Sequence, residues 1–283
     1  MISDCAVNIG SSHPVCQDYA RTGENSAGPF VVVADGCSSS ADTDIGARLL
    51  VLSAEKALKE MPLNPYNLDL FRDLAIVRAA EWAKRMGLAM PSLDATLMTV
   101  SLMANGKGIA TVFGDGLVVA KTSEGLYVND ISYSRNFPAY PSYRLDEDRM
   151  AMMPADNHPI LELWRLSKEG SGWKREPVAD GAKGVANSGC HCYEFPLEGN
   201  TFVAVATDGT KSFLSPCNSE TTKTNAPVPL EAVLPELLDF KNFQPGFAQR
   251  RMQRFHKDMQ KNGWQHYDDL AIGILALGGL ANS

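Results

Sequence analysis

The sequence predicts an α+β fold in which pairs of helices pack outside antiparallel β-sheets. Three observations carry this prediction: short β-branched runs bounded by Gly, Asp and Asn, three of these runs joined by links too short for a crossover, and helical segments gathered in two pairs, one early and one late in the chain.

The strand signals, in order, are residues 30–34 (FVVVA), 96–103 (TLMTVSLM), 108–113 (GIATVF), 117–122 (LVVAKT), 202–206 (FVAVA) and 270–277 (LAIGILAL). Ala104-Asn105-Gly106-Lys107 reads as a hairpin turn between the second and third runs, and Gly114-Asp115-Gly116 as a similar break before the fourth, which predicts an antiparallel meander. Asp42 or Thr43 caps a helix running to residue 61, with Ile45, Leu49, Leu52 and Leu58 among its apolar positions. A second helix over 68–86 carries Leu70, Leu74, Val77, Ala80 and Trp82. The late pair spans 230–238 and 245–260. Residues 129–157 are polar, Tyr-rich and proline-containing, an ordered excursion over the surface, and 215–229 reads as a mobile loop.

With 283 residues, 45% hydrophobic and 21% charged, the chain can fill one large core, and a single domain over 1–283 is expected. A net charge of −7 argues against nucleic acid or an anionic membrane as the main partner. No apolar run approaches the ~18 residues of a membrane span, and the first residues lack a basic patch followed by an apolar stretch, so a cytoplasmic protein is expected. The six cysteines (Cys5, Cys16, Cys37, Cys190, Cys192 and Cys217) form no CxxC pair and are expected as free thiols. On a strand, Cys190-His191-Cys192 would put both thiols on one face and the histidine on the other, which disfavours a zinc site.

Asp35-Gly36 follows directly on one hydrophobic strand and Asp208-Gly209 on another. Alone, each reads as a turn or helix cap. Together with Asp18 ahead of the first strand pair, Asp115 in the Gly-Asp-Gly turn, and Asp268-Asp269 ahead of the last strand, they bring carboxylates to strand ends from remote parts of the chain. Such groups repel one another unless cations compensate them, and oxygen ligands without a His or Cys cluster favour Mg²⁺ or Mn²⁺.

The segments GSSHPVCQDYA, FVVVADGCSSSADTDIGARLL, DATLMTVSLMANGKGIATVFGDGLVV, FVAVATDGTKSF and YDDLAIGILAL, in this order, span residues 10–277. In this set the chain resembles the metal-dependent serine/threonine protein phosphatases of the PP2C family, in particular the compact bacterial branch. The resemblance implies an αββα sandwich, two antiparallel sheets flanked by helix pairs, with two Mn²⁺ or Mg²⁺ ions at one edge and room for a third. It implies Asp35 as the bridge between the ions, the Gly36 carbonyl as a ligand, and Asp208 and Asp268 on the second ion. Asp18 would act directly or through water, and Asp115 with Asp208 would hold a looser third ion. A water held between the ions would attack phosphorus in line, without a covalent intermediate. Cys37 then reads as a pocket wall.

Two departures matter. The stretch Ser11-Ser12-His13-Pro14-Val15 has no arginine where many relatives grip the phosphate, which makes His13 a candidate hydrogen-bond donor or general acid beside its reading as a loop residue. The final motif, Asp268-Asp269-Leu270-Ala271, has alanine where relatives usually carry threonine or serine; Asp268 is taken as the ligand and Asp269 as a supporting or exposed neighbour, the reverse assignment being the alternative. The 129–157 excursion sits where relatives carry a flap, with Arg135, Tyr140, Tyr143 and Arg144 as candidate substrate contacts. The expected activity is hydrolysis of phosphoserine and phosphothreonine on a protein substrate, the target of a partner kinase, by a monomer. The alternatives are a regulatory or binding module with little turnover and a phosphatase of small metabolites.

Overall fold

The computed structural model describes residues 1–178, 185–187, 189–216 and 225–278. The chain opens with strands β1 (Ile2–Asn8), β2 (Tyr19–Asn25) and β3 (Gly28–Ala34), followed by helices α1 (Thr43–Glu60) and α2 (Leu68–Arg85). Strands β4 (Leu97–Leu102), β5 (Gly108–Phe113), β6 (Gly116–Thr122) and β7 (Gly125–Tyr133) precede the short helix α3 (Glu147–Ala151). Then come β8 (Pro159–Glu169), β9 (Gly172–Pro177), β10 (Val185–Asn187), β11 (Cys190–Phe195), β12 (Asn200–Ala206), β13 (Phe213–Pro216) and β14 (Asn225–Pro227). Helices α4 (Leu230–Leu237) and α5 (Phe247–Lys261) and strands β15 (Gln265–His266) and β16 (Leu270–Ala276) complete it.

The strands form a seven-stranded sheet ordered β1-β16-β12-β6-β7-β8-β9, a six-stranded sheet ordered β10-β11-β5-β4-β3-β2, and a small sheet ordered β14-β13-β15, with antiparallel pairing throughout. Side-chain alternation builds the layers. In β3, Phe30, Val32 and Ala34 pack toward α1 and α2, while Val31 and Val33 fill the space between the large sheets. In β16, Leu270, Ile272 and Ile274 face α4 and α5, and Ala271 and Leu275 face inward. The result is the expected αββα sandwich. The sheets pack tightly at Gly273, where an added Cβ would lie 2.8 Å from Val33 and 2.9 Å from Val31 side-chain carbons.

Several expectations change. Strands β4 and β5 pair as the predicted hairpin, but β6 belongs to the other sheet, so Gly114-Asp115-Gly116 is a crossing between sheets rather than a meander turn. The crossing needs φ of 93° at Gly114 and 137° at Gly116, conformations that side chains resist. The helices bury an alanine-rich face (Ala47, Ala54 and Ala57 on α1, Ala75, Ala79 and Ala83 on α2), leaving Leu52, Leu70, Val77 and Trp82 exposed. The large apolar side chains that share this buried face are Leu50, Val51 and the expected Leu58 on α1 and Phe71 and Ile76 on α2, interleaved with the alanines. The excursion starts later than residue 129, because 129–133 complete β7. The 215–229 segment includes parts of β13 and β14, while 217–224, with Cys217, lies outside the described residues. Among the described residues no helix is long and apolar enough to cross a membrane.

Candidate metal centre

The layer arrangement delivers the carboxylates to one edge. Strand β3 ends at Ala34 and β12 at Ala206, releasing Asp35 and Asp208, and the crossing between the sheets presents Asp115. Backbone bonds fix the first of these: the Asp35 amide donates to Thr96 Oγ1 (3.0 Å), and the Thr96 amide donates to the Asp35 carbonyl (2.8 Å). Gly36 packs where an added Cβ would lie 2.9 Å from the carbonyl oxygens of Gln17 and Thr43. Thr207 links three segments, since its hydroxyl donates to Asp18 Oδ2 (2.8 Å), accepts from the Ala271 amide (2.9 Å), and stands next to Asp208.

These elements enclose a cleft of about 260 Å³ lined by Asp35, Gly36, Asp115, Asp208 and Asp268, with Cys37, Ser38, Ser39 and Thr96 on one side and Asn136, Pro138 and Tyr140 of the excursion on the other. Asp18 is buried behind it, and Asp35 feels the charge of both Asp18 and Asp208. A larger hollow of about 550 Å³ between α1 and α2, lined by Lys56, Arg78, Glu81 and Trp82, pairs one carboxylate with basic side chains and gathers no set of acids, so the chemistry belongs to the smaller cleft.

Burial, with neighbouring negative charge, raises the proton affinity of Asp18, Asp35, Asp115 and Asp268. Burial pushes Asp18 and Asp35 well above the usual carboxylate range, with Asp18 and Asp208 adding to the effect on Asp35. Burial, then Asp208, raises Asp115 to about 7, and the same two causes raise Asp268. Asp18 Oδ1 is buried without a hydrogen-bond partner. Among the described residues no three His, Cys, Asp or Glu side chains enclose a single point as metal ligands do. The carboxylates converge on the cleft without closing a shell. An oxygen-rich, mutually repelling set with an orphaned buried oxygen nevertheless fits a hard divalent cation in its donor chemistry.

The structure separates the two C-terminal candidates. Asp268 lines the cleft with 45% of its side chain exposed, whereas Asp269 is 2% exposed and turns to the N-terminal loop. Asp269 accepts from the amides of Gly10 (2.8 Å) and Gln17 (2.6 Å), and His13 Nδ1 lies 2.9 Å from its Oδ2. His13 therefore stands beside the cleft residues rather than among them. Cys37 forms part of the wall, its Sγ 3.0 Å from Ser39 Oγ. Of the excursion candidates, Tyr140 reaches the cleft, Tyr143 is buried beside it, Arg144 lines a neighbouring hollow, and Arg135 pairs with Asp156. Cys190 and Cys192 face the α1 and α2 layer, with His191 on the opposite face of the strand.

Sequence reasoning missed Thr96, Asn136 and Asp94. The signal available for Asp94 was an acid flanked by apolar residues, Leu93-Asp94-Ala95, just before a strand; it is 1% exposed. Asn136 takes a left-handed φ of 49° at the cleft, a conformation asparagine tolerates better than most residues.

Residues 10–239 match a family model described as Protein phosphatase 2C. Among solved structures, a bacterial serine phosphatase aligns with TM-score 0.55 at 10% identity, covering 99% of each chain. The serine/threonine phosphatase Stp1 from Staphylococcus aureus aligns with TM-score 0.53 at 9% identity, over 98% of this chain and 95% of that one. The S. agalactiae serine/threonine phosphatase gives 0.51 at 16% identity, over 96% and 98%. These similarities are similarities of fold. Comparison with curated proteins finds no match.

Proposed function

This chain belongs to the protein phosphatase 2C family, a family of metal-dependent protein phosphatases, and on that premise we propose that it hydrolyses phosphoserine and phosphothreonine monoesters on protein substrates with Mn²⁺ or Mg²⁺. The observation that carries this reading is the convergence of Asp35, Asp115, Asp208 and Asp268 on one cleft, backed by buried Asp18. Asp35, the Gly36 carbonyl, Asp208 and Asp268 would hold two ions, Asp18 would contact them directly or through water, and Asp115 with Asp208 would hold a third. The ions, when bound, supply Lewis acidity toward water and toward the phosphoryl oxygens.

The protein's own residues set the geometry. Thr96 fixes the backbone of Asp35, and Thr207 fixes Asp18 against the start of β16. Ser38, Ser39, Asn136 and Tyr140 offer neutral polar groups to the phosphate, a role that His13, committed to Asp269, is less free to fill. One domain over 1–283, with a flap at about 129–157, acting as a cytoplasmic monomer on the targets of a partner kinase, completes the proposal. The free state of all five described cysteines is in keeping with that compartment.

Purified protein with Mn²⁺ should release phosphate from a phosphothreonine peptide, and Asp35→Asn or Asp208→Asn should abolish this. Equal turnover in the variants and the wild type would remove the assignment. The absence of an arginine among the described cleft-lining residues favours, as a second reading, a regulatory module with little turnover. Calorimetric titration with Mn²⁺ separates the two: two or more sites with turnover support the enzyme, and one or no site without turnover supports the module.

A further inference from the structure

Asp94 differs from the carboxylates of the cleft in having its acceptor capacity filled. It receives Ser40 Oγ at Oδ2 (2.8 Å), Ser142 Oγ at Oδ1 (2.8 Å), Arg149 Nη1 at Oδ1 (2.7 Å) and Arg149 Nη2 at Oδ2. A carboxylate has about four lone-pair sites, and here each is met by a donor, two of them in a bidentate guanidinium fork. The donors come from separate pieces of chain. Ser40 belongs to the loop after Asp35 that carries Cys37, Ser38 and Ser39, while Ser142 and Arg149 belong to the excursion over the cleft. The backbone adds a further tie, the Cys37 amide donating to the Asp94 carbonyl (2.8 Å).

Arg149 also touches the excursion's aromatic cluster. Its guanidinium lies 4.9 Å from the Tyr143 ring centroid, and Tyr143 packs against Phe137 (5.6 Å) and edge-on against Tyr140 (5.5 Å), which lines the cleft. The path from Asp94 through Arg149 and Tyr143 to Tyr140 is thus continuous contact.

We propose that Asp94 and Arg149 form a latch that positions both walls of the substrate cleft, the Cys37-Ser38-Ser39 loop on one side and Asn136, Pro138 and Tyr140 on the other. This rests on the phosphatase reading for what the cleft binds, but not for what the latch holds. Neither residue touches the reacting groups. Breaking the pair leaves a buried carboxylate short of its cationic partner, and the excursion leaves Asp94 to let water in. The cleft carboxylates stay in place, because the backbone of Asp35 is held by Thr96 and that of Thr207, next to Asp208, by Ala271. If the latched arrangement falls to about a tenth of the population, substrate affinity falls about tenfold in proportion.

The test uses the full chain with Arg149→Gln and Arg149→Lys, since Arg149 is partly exposed and its loss spares the core, where Asp94→Asn risks the fold. Three measurements are made: amide hydrogen exchange across residues 134–158, calorimetric Mn²⁺ affinity, and KM and kcat on a phosphothreonine peptide. For Arg149→Gln, exchange in 134–158 is expected to accelerate at least ~10-fold and KM to rise ~10-fold, with kcat within about twofold and Mn²⁺ affinity unchanged. Arg149→Lys, which keeps the charge but not the fork, should fall between. Unchanged exchange, or a fall in kcat at constant KM, overturns the latch. If the wild type fails to turn over any phosphopeptide, the phosphatase reading falls and the exchange measurement alone decides whether the excursion is latched.

Discussion

Asp115 gives the sharpest quantitative consequence of the site. Its ordinary carboxyl value is 3.8, and burial together with Asp208 raises it to about 7. The folded-state value lies above the unfolded one, so ionisation favours the unfolded chain: the penalty is absent below pH 3.8, grows as pH rises, and is complete above about 7. At about 1.36 kcal/mol per pH unit, the cost is about 1 kcal/mol at pH 4.5 and about 4 kcal/mol at pH 8, an upper bound because neighbouring acids relax. Asp115→Asn removes that charge with little change in shape. In EDTA at pH 8 the variant should melt higher than the wild type, by on the order of 10 °C if the full amount is realised, and the gain should shrink toward pH 4.5. Saturating Mn²⁺ should reduce or reverse the difference, because a bound cation compensates the charge. The assay is thermal unfolding by circular dichroism across this pH range, with and without metal. A variant no more stable than the wild type at pH 8 without metal, or a gain that does not grow with pH, would refute the electrostatic reading of the cleft.

Three further outcomes are expected. His13→Ala should destabilise the fold by about 1–3 kcal/mol, because it removes a partner from buried Asp269, and urea unfolding measures it. Thr207→Val should cost a similar amount, since one hydroxyl serves both Asp18 and the Ala271 amide, and it should weaken Mn²⁺ binding in calorimetry. Gly273→Ala should destabilise by about 1–3 kcal/mol through overpacking against Val31 and Val33, with Mn²⁺ affinity unchanged, as denaturant titration and calorimetry would show.

Strands β3, β4, β5, β6, β12 and β16 and the two helix pairs were legible because their signals are local, whereas the more polar strands such as β2, β8 and β9 carry no such run. β-Branched runs such as FVVVA and FVAVA want a pleated, buried surface, and turn residues mark their ends, so Asp35 and Asp208 could be placed at strand ends without knowing what lay across from them. The αββα sandwich was what the family resemblance, carried by five ordered motifs, implied.

Other features depended on partners far away in the chain. Asp268 and Asp269 are neighbours pointing different ways, and which one meets the cleft was decided by the amides of Gly10 and Gln17 claiming Asp269. The buried face of α1 and α2 was decided by which side of each helix meets the sheet, which put Leu50, Phe71 and Ile76 inside with the alanines and left Leu52 and Trp82 outside. Whether Gly114-Asp115-Gly116 turned within a sheet or crossed between two depended on which partner β6 found, and it found β12 and β7. What could be read from local pattern alone was the buried strands, the helix pairs and the acids at the strand ends, because hydrophobic pattern and turn chemistry act over a few residues. Only the tertiary structure decided which acid faces the cleft, where the sheets divide, and that Asp94 ties both walls together, because burial, hydrogen-bond saturation and charge repulsion arise between segments that meet only in the folded chain.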